Sequence, residues 1–243
     1  MLILNTIEFF KIVMIDFYYW PTPNARKISI LFEELNVKYN LIKIDINKGE
    51  QFGEKFLHIS PNNKIPAIQI KKSNETINLF ESGAILWYFA EQHKKFLPQD
   101  LNIKCSVIQW LFWQMGGFGP MLGQAHHFNF YAKKSIKYAQ DRYSKEAYRL
   151  YSVLNNQLKD NEWVVGEYSI ADMAIFPWTR TPERQGVDLN EFSEVLRWRK
   201  LMNNRPAVVK GMNIGNELRK DPDKKLTDEE HENLFGEKQY RKR

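Results

Sequence analysis

One cysteine, Cys105, is present in 243 residues. An internal disulfide, a Cys-x-x-Cys redox pair and a cysteine-rich zinc site are thereby excluded for the chain, and a reducing, cytoplasmic setting is expected. Long apolar runs are also missing. The nearest, residues 1–13, is broken by Asn5, Thr6, Glu8 and Lys11 and falls short of the roughly 20 residues of a membrane span. It has neither the basic start nor the small-residue cleavage site of a signal peptide, so no membrane partner is expected. Charge of one sign is nowhere concentrated. The net +6 divides into +2 over residues 1–98 (12 basic, 10 acidic), +3 over 99–218 (15 and 12) and +1 over 219–243 (8 and 7). A phosphate-tracking surface needs clustered charge, so no nucleic-acid partner is expected. What is present suits a packed globular protein: 43% hydrophobic and 14% aromatic residues, in a chain long enough for one large or two small cores.

Residues 15–19 (Ile-Asp-Phe-Tyr-Tyr) are β-prone and end at Pro21, Thr22, Pro23 and Asn24, a turn cluster. From Ala25 the spacing of Ile28, Leu31, Phe32 and Leu35 predicts an amphipathic helix with Asn24 as N-cap. Strands are expected at 39–44, 67–70 and 76–79, with a polar loop over 45–55 and a helix opening at Glu81 and Ser82. Strand, helix, strand, loop, strand, strand, helix is an α/β unit of thioredoxin-like order. Beyond 94–102, a polar connector, strand signals cease, and helices are expected near 103–131, 139–159, 170–181 and 189–203. Ser169 and Asp172 form a capping-box-like start. The expected organisation is an extension at 1–13, domains at 14–93 and 103–218, and a charged tail at 219–243. In that tail only Leu226, Leu234 and Phe235 are apolar enough to dock.

Pro21-Thr22-Pro23-Asn24 after the first strand, Asn62-Asn63-Lys64-Ile65-Pro66 before the third, and Phe80-Glu81-Ser82-Gly83-Ala84-Ile85 opening a helix resemble the glutathione transferases. The run from Gln109 to Gln124, with His126-His127-Phe128-Asn129, resembles their nu-class, disulfide-bond oxidoreductase branch, over about residues 14–218. The resemblance implies the glutathione transferase fold: an α/β thioredoxin-like N-terminal domain and an all-α C-terminal domain, assembled as a homodimer. It implies two glutathione molecules per site and no metal, with small disulfides, or electrophiles, as substrates. Because the match begins at Met14, residues 1–13 are expected to be a mis-assigned start or a non-functional extension.

The site residues it implies suit glutathione chemically. Pro66 is expected cis, turning Ile65 to exchange backbone hydrogen bonds with the cysteinyl part of the ligand. Glu81 and Ser82, at a helix N-terminus, suit the γ-glutamyl amine and carboxylate, though plain helix capping would also explain them. Asn24 and Gln51 are implied glutathione contacts on facing loops. Thr22 is the implied catalytic group, its hydroxyl holding the glutathione thiolate, since a thiol of pKa about 8.5 is mostly protonated at neutral pH. Tyr19 is the alternative activator, or a packing residue sharing a face with Phe17. Arg142 is either a fork for ligand carboxylates or the partner of Glu146 in a helical ion pair. Cys105 is expected to be buried packing, which leaves the redox sulfurs to glutathione. His126 and His127 lack a third metal ligand and fit a polar wall of the second-ligand site. Gly116, Gly117 and Gly119 suit close helix approach, at a dimer cleft for instance. A conventional electrophile-conjugating transferase and a non-catalytic glutathione-binding regulator are the rival readings.

Overall fold

The structure, a computed structural model, describes residues 14–218 and 225–240. The extension expected at 1–13 lies outside the described residues, as do 219–224 and 241–243 of the tail.

β1 (Met14–Tyr19), β2 (Asn40–Lys43), β3 (Ala67–Lys72) and β4 (Glu75–Phe80) form one sheet in the order β2-β1-β3-β4. β1 runs parallel to β2 and antiparallel to β3, and β3 and β4 form a hairpin. α1 (Pro23–Leu35) is the crossover between the parallel pair, which cannot be joined by a tight turn. Phe17, at the centre of β1, is fully buried with its ring edge-on to Tyr19, Phe32 and Tyr39.

The spacing of Ile28, Leu31, Phe32 and Leu35 does place them in the core. α1 is nonetheless not amphipathic in place, because Arg26, Lys27, Ser29 and Ile30 are buried too. Its second face is covered by α9 (Pro206–Asn213), a helix with no counterpart in the sequence-based expectation. The crossing is close. A Cβ on Gly211 would stand 2.6 Å from Ile30 Cα, and Ser29 Oγ donates to Gly211 O at 2.7 Å. Thr22 rather than Asn24 is the N-cap, since Pro23 takes the first helical position, where its missing N–H costs nothing. The loop expected at 45–55 contains two 3₁₀ turns and the start of α2 (Glu54–Ile59). α3 (Ser82–His93) closes this layer.

The helical part begins at α4 (Leu101–Trp113), which passes through a π-turn at Gln114–Phe118 into α5 (Gly119–His126) and a second π-turn at His127–Tyr131. α6 (Lys137–Leu158), α7 (Ile170–Ile175) and α8 (Ser193–Asn203) follow. The Ser169/Asp172 capping box forms, and Asp172 does more than cap. Fully buried, its carboxylate also accepts from Val164 N and Trp198 Nε1 at 3.0 and 2.8 Å. Tyr19 ties this half to the sheet. Its hydroxyl, on a fully buried ring, donates to Ile214 O at 2.7 Å. The tail lies over the body as α10 (Asp228–Phe235), started by a capping box between Thr227 and Glu230.

Candidate active site: a cleft roofed by the C-terminal helix

A cleft of about 460 Å³ lies where the β1–α1 turn, the loops after β2 and before β3, α5 and α10 converge. Thr22, Asn24, Gln51 and Ile65 of the expected site all line it, as do His126 and His127. The Ile65–Pro66 peptide is cis. Each side chain has a local reason to be there. Thr22, as N-cap, has extended dihedrals but makes no side-chain cap bond, and its backbone N–H is taken by Trp20 O at 2.6 Å. Its Oγ1 is buried without a hydrogen-bond partner. Gln51 Oε1 and His126 Nε2 share that condition. Three unsatisfied polar atoms on one cleft wall are uncommon in a folded protein and mark a place for a polar ligand. Asn24 is fixed differently: its Oδ1 accepts from Trp178 Nε1 at 2.9 Å, which leaves its amide N–H groups as donors.

Glu81 and Ser82 lie outside this lining. The hairpin register still brings them near. Ala67 pairs with Phe80 at the end of the ladder, so Pro66 and Glu81, the next residue on either side, leave the sheet at the same end. Glu81 has φ 69°, a value L-residues rarely adopt, and its carboxylate accepts from Asn62 Nδ2 at 3.4 Å. Ser82 begins α3, and its Oγ accepts from Lys27 Nζ at 3.3 Å. Lys27 is fully buried; desolvation lowers its ammonium's pKa well below the usual lysine value, and the charge of Glu81 only partly restores it.

Three expectations are corrected. Arg142 is exposed on α6 in a second cavity with Gly116, Gly117, Tyr138 and Arg149, so within one chain it does not reach the Thr22 cleft. Of its expected alternative only the field remains: Glu146 makes its contact pair with Arg149 at 2.8 Å, which holds the Glu146 carboxyl below its ordinary pKa, and the charge of Arg142 adds to that lowering. Cys105 is exposed, because α4 turns Val107 and Leu111 to the core and a residue two before Val107 points the other way. Of Gly116, Gly117 and Gly119, only Gly119 marks a close approach. A Cβ there would meet Gln114 Nε2 at 2.6 Å, whereas at Gly116 and Gly117 it would meet nothing within 4 Å.

The three tail residues expected to dock do so, and the surface they meet, which the sequence did not name, is this cleft. Leu226, Leu234 and Phe235 line the cleft, and Phe235 packs edge-on to His127 at 4.7 Å and tilted against Tyr131 at 5.4 Å. Asn233, fully buried, donates from Nδ2 to Asn47 O at 2.8 Å while its carbonyl accepts from Gln51 Nε2 at 3.2 Å. Lys133 pairs with Asp228 at 2.6 Å. The capping box Thr227-x-x-Glu230 was the sequence signal for this helix.

His126 stacks flat on Tyr131 at 4.9 Å. Burial, with the charges of Arg184 and His127, lowers its pKa to about 4. The unfolded chain takes up a proton near pH 6.5 that the folded protein refuses until about pH 4. Stability contributed above pH 6.5 is therefore lost as pH falls through that window. Denaturant titrations at pH 7.5 and pH 5 should show wild type losing about 1–2 kcal/mol more than His126→Gln; equal losses would contradict the assignment. Among the described residues no group of three or more His, Cys, Asp or Glu is placed to hold a metal, and no helix is long and apolar enough to cross a membrane.

Residues 13–91 match the family model for the glutathione S-transferase N-terminal domain, and residues 118–206 the one for the C-terminal domain. The chain is 50% identical over 199 residues to the disulfide-bond oxidoreductase YfcG of Escherichia coli, covering 80% of this chain and 93% of that protein. The chain belongs to the glutathione S-transferase family. This family member also resembles a Pseudomonas putida glutathione transferase solved with one glutathione disulfide per subunit (TM-score 0.78, 42% identity, 83% of this chain and 91% of that one). A Burkholderia graminis transferase solved with two glutathione molecules per subunit is similar (TM-score 0.79, 38% identity, 84% and 89%). Its fold is therefore that of the family: a thioredoxin-like sheet domain and a helical domain.

Proposed function

We propose that this family member is a glutathione-dependent disulfide reductase whose reacting sulfurs belong to bound glutathione. The observation that carries the reading is the Thr22 hydroxyl: it stands at the N-terminus of α1, on the cleft wall, unused by the cap and without a partner. A hydroxyl and a helix N-terminus together favour a thiolate over a thiol. One glutathione thiolate attacks the substrate disulfide, forming a mixed disulfide and releasing one substrate thiolate. A second glutathione thiolate attacks the glutathione sulfur of that mixed disulfide, giving glutathione disulfide and the other substrate thiolate. Both released thiolates take the protons that the two glutathione thiols lost. Two glutathiones in this cleft, as the two per subunit in the Burkholderia relative suggest, would supply both sulfurs and make a protein dithiol unnecessary.

Asn24, Gln51 and the backbone of Ile65, just before the cis bond to Pro66, would hold the cysteinyl and glycyl parts; Glu81 and Ser82 would take the γ-glutamyl end. Arg142 reaches a ligand only if a second copy of the chain brings another cleft to it, which fits the homodimer we propose. Electrophile conjugation through a Tyr19-activated thiol is disfavoured by the engagement of Tyr19, whose hydroxyl donates to Ile214 O at 2.7 Å. The test is reduction of a small disulfide by glutathione, coupled to glutathione reductase. Sustained turnover is expected. Absence of turnover, with rapid conjugation of an aromatic electrophile, would overturn the reading in favour of a conventional transferase.

A further inference from the structure

Lys27 is a buried lysine that the proposed chemistry does not use. It sits on α1, fully buried, and spends its three N–H bonds on Gln114 Oε1 (2.6 Å), Ser82 Oγ (3.3 Å) and Met115 Sδ (3.5 Å). Among the described residues no carboxylate lies within ion-pair distance of it; the only acid whose field reaches it is Glu81. A buried ammonium without a contacting anion is costly. A charge held under such conditions points to an anion that arrives from outside.

The geometry shows where. Lys27 occupies an acceptor site on the Ser82 oxygen, so the serine proton must point elsewhere. In this structure it points to Met115 Sδ, 3.6 Å away, a weak acceptor on a flexible side chain. That side chain also lies over Gly83, with its Cγ 3.1 Å from where a Cβ would be. Shifting it would expose the first turn of α3, an N-terminus suited to a carboxylate. The charges are arranged in complement: Glu81 is exposed and Lys27 lies behind Ser82, and a γ-glutamyl group carries one ammonium and one carboxylate. We infer that Lys27 is a positioning residue of the glutathione site, which orients the Ser82 hydroxyl outward and balances the γ-glutamyl carboxylate from behind. The inference rests on the reading of Ser82 as that carboxylate's contact.

Binding of glutathione and of cysteinylglycine, which lacks the γ-glutamyl group, tests it by calorimetry on wild type, Lys27→Met and Gln114→Glu. Lys27→Met removes the charge at similar length. Gln114→Glu keeps the lysine but gives it an internal anion, and decides the matter should Lys27→Met fail to fold. Both variants are expected to bind glutathione about 10- to 100-fold more weakly, the range for a lost hydrogen bond to a charged group, with cysteinylglycine affinity within about twofold of wild type. Variants that keep the wild-type preference for glutathione would overturn the role of Lys27 alone. A wild type that binds both peptides equally would instead overturn the Ser82 reading beneath it.

Discussion

Thr22→Ala is expected to lose about 10- to 100-fold in kcat/KM for glutathione-dependent disulfide reduction, and Thr22→Ser to keep most of it. A hydroxyl donating to a thiolate is a charge-assisted hydrogen bond, worth about 1.5–3 kcal/mol, and each 1.4 kcal/mol is about a factor of ten in rate. The loss should be chemical rather than structural, because Thr22 makes no side-chain cap bond whose removal would destabilise α1. The pH-rate profile separates the two: without the hydroxyl, the apparent pKa of the bound thiol should rise toward the free value of about 8.5. Tyr19→Phe is the control. It should lower stability by about 1 kcal/mol, by losing the bond to Ile214 O, and leave the pH profile in place. Thr22→Ala within twofold of wild type, or a profile that shifts in Tyr19→Phe instead, would mean that the phenol activates sulfur.

Ending the chain at Leu218 is expected to accelerate release of glutathione disulfide by about tenfold or more in stopped-flow displacement. The tail roofs the cleft with Leu226, just before α10, and with Leu234 and Phe235 of α10, so its removal opens the bound ligand to water. Apolar area returned to water costs about 25 cal/mol per Å², and roughly 50–60 Å² of lost contact already corresponds to a tenfold weaker complex. The same truncation leaves His127 and Tyr131 without the Phe235 ring and takes Gln51 Nε2 from its partner, Asn233 O. A lowered melting temperature should accompany the faster release. Unchanged release from a folded, truncated protein would reduce α10 to surface decoration. Phe235→Ala, which leaves the Asn233 bonds in place, should show an intermediate effect.

Much of this site was legible because local chemistry names its own position. Thr22 and Asn24 stand in a turn that short-range signals mark, whereas Gln51 and Ile65 were expected only through the family resemblance, because a polar loop and an Ile-Pro step name no ligand by themselves. Other features depend on what packs against a segment, and periodicity is silent there. α1 has a clear apolar stripe at Ile28, Leu31, Phe32 and Leu35, yet its opposite face is buried under α9. Lys27 thus became an interior charge although its sequence context reads as a solvated face. α4 is apolar at so many positions that its inward face could not be chosen from spacing, and Cys105 fell on the outer side. Arg142 sits on an exposed face of α6 away from the cleft, and a family motif cannot show that within one chain. α10 had a capping box but only three apolar residues around it. Its stability comes from the cleft it covers, through Asn233 and Phe235, rather than from any propensity of its own.

The central claim, that the exchanging sulfurs are glutathione's and the protein contributes none, is tested most directly by the mass of the protein during turnover. The full chain is mixed with glutathione and a small disulfide, acid-quenched over the first turnovers and weighed intact. The account predicts that free glutathione–substrate mixed disulfide and glutathione disulfide appear while the protein keeps its unmodified mass, and that Cys105→Ala gives the same time course. A substrate or glutathione adduct on Cys105 that forms and decays at the turnover rate, with activity lost in Cys105→Ala, would contradict it.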